Sequence, residues 1–138
     1  MDPDLMTRIE RHLSDMRRAR RALEEARTVA TPEELAPIAF EAAKESLLAS
    51  AAAFGVPLEK NASLMDAARS LSRAASLGCL PCRFAQIMIL SIPSDDLRAG
   101  PAKLDRAIKA AMEISENLAH FAESHPACAD TESGSGRG

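Results

Sequence analysis

Residues 82 to 93 read CRFAQIMILSIP, and the structure this stretch adopts decides the fold class. The run Ile87-Met88-Ile89-Leu90 is short and wholly apolar, a pattern that fits a buried strand and a buried helix equally well. A strand needs a partner, and the chain offers no second strand candidate. The run therefore reads as a short buried helix over residues 81 to 92, with Pro81 in its first turn, where a missing amide is tolerated.

Working outward, helical periodicity recurs on both sides. Met6, Ile9, Leu13, Met16 and Leu23 keep the i, i+3, i+4 spacing of a buried stripe and predict a first helix over 4 to 30. Thr31-Pro32-Glu33-Glu34 supplies an N-cap, a first-turn proline and two first-turn acids. The second helix runs from there to Phe54, burying Phe40, Ala43, Leu47, Ala51 and Phe54, and Gly55 ends it. Leu64, Ala68, Leu71 and Ala75 mark a third helix that stops at Gly78. SIPSDDLRAGP is a loop, and Leu104, Ile108, Ala111, Ser115, Leu118 and Phe121 define a last helix over 101 to 124. The residues thus predict an all-α helical bundle of four long helices plus one short one, spanning 1 to 123. Residues 124 to 138 read as a disordered tail, because SGSGRG has nothing to bury.

Composition agrees. The chain has 138 residues, enough for one domain with a real core. It is 46% hydrophobic but only 3% aromatic, so the core is aliphatic and alanine-rich, which suits close-packed helices better than a sandwich. A net charge of -3 gives no global pull towards nucleic acid or an anionic membrane. No window reaches the roughly 20 apolar residues of a membrane span, and the acidic start is unlike a signal peptide. With three cysteines, an odd number, the expectation is a cytoplasmic protein with reduced thiols.

Cys79 and Cys82, in GCLPCRF, have three candidate roles. Pro81 places Cys82 at a helix start, where a thiolate is stabilised, and C-x-P-C superficially resembles thioredoxin; that chemistry, however, needs a strand-to-helix turn on a sheet. A metal site would add His125 and Cys128, whose H-x-x-C spacing is also ligand-like, with His120 a further donor. The third role is that of two small, reduced, metal-free residues at a helix boundary, and that is the expectation here.

Seven arginines against four acids make residues 8 to 27 locally basic. The RRARR run, 17 to 21, falls mostly on the solvated face, with Glu33, Glu34, Glu41 and Glu45 of the second helix as neutralising neighbours. Arg20 and Arg27 instead project onto the apolar stripe, with His12 at its edge, and a charge there must be paired or lie at a rim. Arg20, Arg27 and, from the fourth helix, Arg83 are the candidate phosphate ligands, since a guanidinium fork matches phosphate oxygens. Catalytic signatures are missing. There is no G-x-x-x-x-G-K-[ST], G-x-S-x-G, H-E-x-x-H or E-x-x-H, and no cofactor motif. The expectation is a protein that is not an enzyme.

Residues 38 to 71, IAFEAAKESLLASAAAFGVPLEKNASLMDAARSL, resemble the second and third helices of HEPN-type bacterial proteins. Phe40, Ala43, Lys44, Leu48, Gly55, Lys60, Ser63, Leu64 and Leu71 occupy the matching positions, and AIKAAMEISENL is similar to the helix that closes that family's bundle. The resemblance implies an antiparallel up-and-down four-helix bundle, here with one additional short helix, usually a homodimer. It also implies binding of a nucleotide or RNA, beside a nucleotidyltransferase partner. Ribonuclease members pair an arginine and a histidine on the RNA phosphodiester. Here FAQIMIL after Arg83 has no histidine, and Arg8 and His12 come closest but in another helix. The resemblance therefore points to the non-cleaving, binding branch. A protein-protein adaptor and a cysteine-based metal or thiol-redox protein are the alternatives.

Overall fold

The computed structural model describes residues 3–57, 63–93 and 100–124, and among them the chain is all-α, with no strand. The helices are α1 (Pro3–Ala26), α2 (Pro32–Ala53), α3 (Leu64–Ala75), α4 (Leu80–Ile87) and α5 (Pro101–Ser124), with a 3₁₀ turn at Met88–Ser91 between the last two. The run that decided the class is helical throughout, but it changes pitch. The tighter turn sets Leu90 three residues after Ile87 on the same side, and both are buried.

Local chemistry fixes the ends. The Thr31 hydroxyl accepts from the Glu34 amide at 3.2 Å, and the Glu34 carboxylate accepts from the Thr31 amide at 2.9 Å. Ser63 and Asp66 repeat this reciprocal cap at the start of α3. The first helix stops at Ala26, short of the residue 30 expected from periodicity, because Thr28-Val29 are β-branched and Thr31 already opens the next helix. Between α3 and α4, Ser76 (φ 54) and Gly78 (φ 76) both take left-handed conformations. They turn the chain between α3 and α4 within four residues, Ser76 to Cys79, and the Ser72 hydroxyl donates to the Gly78 carbonyl.

The core is built around α2, which packs against both α1 and α5. Its buried positions are mostly alanine and serine, so backbones approach closely. The Ser46 and Ser115 hydroxyls meet at 3.3 Å, and Ser50 Oγ donates to the Leu118 carbonyl at 2.7 Å. Both pairs advance in the same sense, so α2 and α5 run in the same direction. Arg8 and His12 lie with Leu48 and Ala52, whereas Ala19 and Ala22 lie with Pro37 and Ile38, so α1 runs opposite to α2. Leu71, Leu80, Phe84 and Ile87 of α3 and α4 complete the main core with residues of α2 and α5. Ile9, Leu13 and Met16 of α1 form a second cluster with Ala49, Ala52, Ala119 and Ala122.

Two expected core residues lie further out. Phe40 is only half-buried, and Phe54 is exposed at the end of α2, its ring 5.6 Å from that of Phe121. The small residues of α2 leave no depth for an aromatic ring at the helix axis. Of the tail expected at 124 to 138, Ser124 is the last residue of α5, and 125 to 138 lie outside the described residues.

Candidate functional site: a cleft between α1 and α2

The three arginines expected to bind phosphate occupy separate carboxylate environments. Arg20 is half-buried in a groove of about 600 Å³ between α1 and α5, lined also by Glu116, Asn117, His120 and Glu123. Neither Arg27 nor Arg83 lines that groove, and its two carboxylates repel an anion. Arg27 lies just past α1, exposed and 3.2 Å from Glu24. Arg83 reaches Glu113 of α5 at 3.4 Å. The apolar stripe predicts Arg27 on the core side, but α1 ends at Ala26 and the Arg27 side chain turns out to solvent.

The RRARR run is neutralised by a different helix from the one expected. Arg17 makes a two-pronged pair with Glu123 of α5, Nε to Oε1 and an η nitrogen to Oε2, both at 2.9 Å. Arg18 lies 3.8 Å from Asp15 of its own helix. The acids of α2 are occupied otherwise. Glu45 is 15% exposed and faces α1, and its carboxyl is pushed up to about 7. Burial is the main cause, a hydrogen bond and repulsion from Glu41 add to it, and Lys44 opposes it.

A different pair of basic residues lines a pocket. Arg8 and His12, one turn apart on α1, face Leu48 and Ala52 of α2, and the chain leaving α2 brings Gly55, Val56 and Pro57 across the end. The cavity is about 460 Å³, within the range of small-ligand sites. Gly55 (φ 81) makes the left-handed turn that folds Val56 back over the cleft, and the Val56 amide donates to the Ala51 carbonyl at 2.8 Å. His12 Nδ1 is buried, and among the described residues it has no hydrogen-bond partner. Burial lowers the ring's pKa, with Arg11 and Arg8 acting the same way and Asp15 against, so the imidazole is neutral at pH 7. An apolar wall, a guanidinium and an unsatisfied ring nitrogen together suit a ligand with a flat apolar body and an anionic group. Two signals pointed there: His12 at the stripe's edge, and the i, i+4 spacing of Arg8 and His12. That the end of α2 returns over them was not visible in the sequence.

Cys79 and Cys82 correct another expectation. They are joined by a disulfide, with sulfurs 2.02 Å apart, rather than standing as two reduced thiols. Cys79 caps α4 and Cys82 is its third residue, so the first helical turn brings the two sulfurs together. Sequence alone fixes the spacing but not the turn. Of the alternative metal ligands, His125 and Cys128 lie outside the described residues, and His120 lines the Arg20 groove instead. Among the described residues no group of three or more His, Cys, Asp or Glu is placed to hold a metal ion. No helix among them is long and apolar enough to cross a membrane.

Comparison of the chain with protein-family models, characterised proteins and solved structures gives no match.

Proposed function

We propose that this chain is a binding module that takes a mononucleotide in the α1–α2 cleft, without carrying out chemistry there. The observation that carries the proposal is the buried Nδ1 of His12, without a partner among the described residues, in a cavity shared with Arg8. A buried polar atom without a partner costs on the order of 1–3 kcal/mol, which a ligand hydrogen bond offsets. In this arrangement a base lies against Leu48, Ala52 and Val56, His12 meets a polar edge, and Arg8 holds a phosphate. A neutral imidazole beside a guanidinium is suited to recognising a polar edge next to an anionic group.

The same proposal includes an antiparallel up-and-down four-helix bundle with one additional short helix. The antiparallel course of α1 against α2 supports this arrangement. It also includes the HEPN-like, non-cleaving resemblance, which supplies the nucleotide as the ligand class.

The test is calorimetric titration with a set of mononucleotides and inorganic phosphate at physiological salt. Arg8→Ala and His12→Ala should each weaken nucleotide binding, Arg8→Ala by about tenfold or more, while Arg20→Ala leaves it unchanged. Loss of binding in Arg20→Ala with Arg8→Ala intact would place the site in the α1–α5 groove and overturn the proposal. If no nucleotide binds the wild type, the adaptor alternative replaces it.

A further inference from the structure

The Cys79–Cys82 pair takes no part in the cleft. Both residues are exposed, and the bond between them spans only the N-cap and first turn of α4. As a staple it does little, because the stabilisation from closing a loop grows with the loop's length and this one ties no two elements together. What holds the turn is Leu80, fully buried between the two cysteines in the main core, and Phe84 one turn on. The dithiol and disulfide forms can therefore share one backbone. The Cys82 amide donates to Cys79 Sγ at 3.2 Å, so a charge-stabilising donor already points at that sulfur.

We propose that Cys79 and Cys82 form a thiol–disulfide exchange site whose substrates are dithiols and, in reverse, disulfides. One thiolate of a substrate dithiol attacks Cys79 Sγ, the bond to Cys82 breaks, and Cys82 leaves as a thiolate that takes up a proton. The substrate's second thiolate then attacks its own sulfur in the mixed disulfide and releases Cys79, whose negative charge is stabilised by the Cys82 amide. Two electrons and two protons pass to the pair, and the dithiol becomes a disulfide. Run backwards, Cys79 is the attacking thiolate and Cys82 the resolving one. Exposure makes the exchange accessible, and the buried Leu80 anchor makes it reversible without unfolding.

The experiment uses the full chain carrying Cys128→Ser, equilibrated in mixtures of reduced and oxidised dithiothreitol, with free thiols alkylated and counted by mass. Reversible conversion of the pair, with unchanged far-UV circular dichroism, is the expected result. Adding Cys82→Ser or Cys79→Ser then isolates each thiol for reaction with oxidised glutathione. The Cys79 thiol should form its mixed disulfide about tenfold or more faster than the Cys82 thiol. The proposal is overturned if the pair exchanges only once the protein is unfolded, or if Cys82 reacts as fast as Cys79. Uptake of one equivalent of zinc by the reduced protein would also overturn it, in favour of a metal site.

Discussion

The Ser50 hydroxyl donates to the Leu118 carbonyl at 2.7 Å, a buried side-chain bond between the two helices that form the centre of the protein. With Ser46 on Ser115 one turn away, it fixes the register of α2 on α5 where alanines give little shape to interlock. Ser50→Ala should cost about 1 kcal/mol in a urea melt, the ordinary net worth of such a bond. Ser50→Val should cost more, since two methyl groups must enter a seam already closed. A stabilised valine variant would mean that the helices have slack there.

Phe84 is the largest side chain with no exposure at all, and it sits in the main core with residues of α2, α3 and α5. Phe84→Ala should destabilise by roughly 3–5 kcal/mol, and Phe84→Leu by much less. Equal losses would show that ring volume is not what fills this site.

Glu45 gives a pH dependence with a definite sign. Its carboxyl titrates at about 7 in the folded protein against 4.5 ordinarily, so between those values the folded state holds a proton that the unfolded chain has released. The stability this contributes is full below pH 4.5 and is lost as pH rises through about 7. Glu45→Gln should therefore be more stable than wild type at about pH 8, by on the order of 1–3 kcal/mol, and nearly equal to it at about pH 4. Matching pH profiles for the two proteins would contradict the buried position of Glu45 against α1.

His12 has the opposite slope. Burial depresses its pKa, so the unfolded chain takes up a proton first as pH falls below 6.5, and stability is lost in that direction. His12→Gln should flatten this acid limb in thermal melts between about pH 5 and pH 7, leaving the Glu45 limb as it is. Because protonation puts a second cation beside Arg8, phosphate affinity at the cleft should rise over the same interval in wild type and not in the variant.

The class of fold was legible because each helix repeats its apolar positions at the helical period. Ile9, Leu13, Met16, Leu71, Leu104, Ile108 and Leu118 are all buried as that period requires. What failed were inferences that depend on a second element. Phe40 and Phe54 lie on the expected stripe, but the alanine seam between α2 and α5 leaves aromatic rings at its margin. Arg17 finds Glu123 of α5, a residue 106 positions away, rather than the nearer acids of α2. The Arg8–His12 cleft needs the chain after Gly55 to fold back, which one-dimensional spacing does not encode. The sulfur pairing depends on the turn of α4, while C-x-P-C spacing permits both states.

That α2 finds its principal partner in α5 also orders events during synthesis. Residues 46 and 115, and 50 and 118, touch across 69 and 68 positions of chain. When α2 leaves the ribosome, α1 can cover only one of its sides. The other side, from Ala39 to Ala53, waits for a helix made some fifty residues later, Pro101–Ser124. A nascent chain stopped between α4 and α5 thus lacks the partner of Ser46 and Ser50 on α2. The part of the core that α5 lines can close only once α5 has emerged.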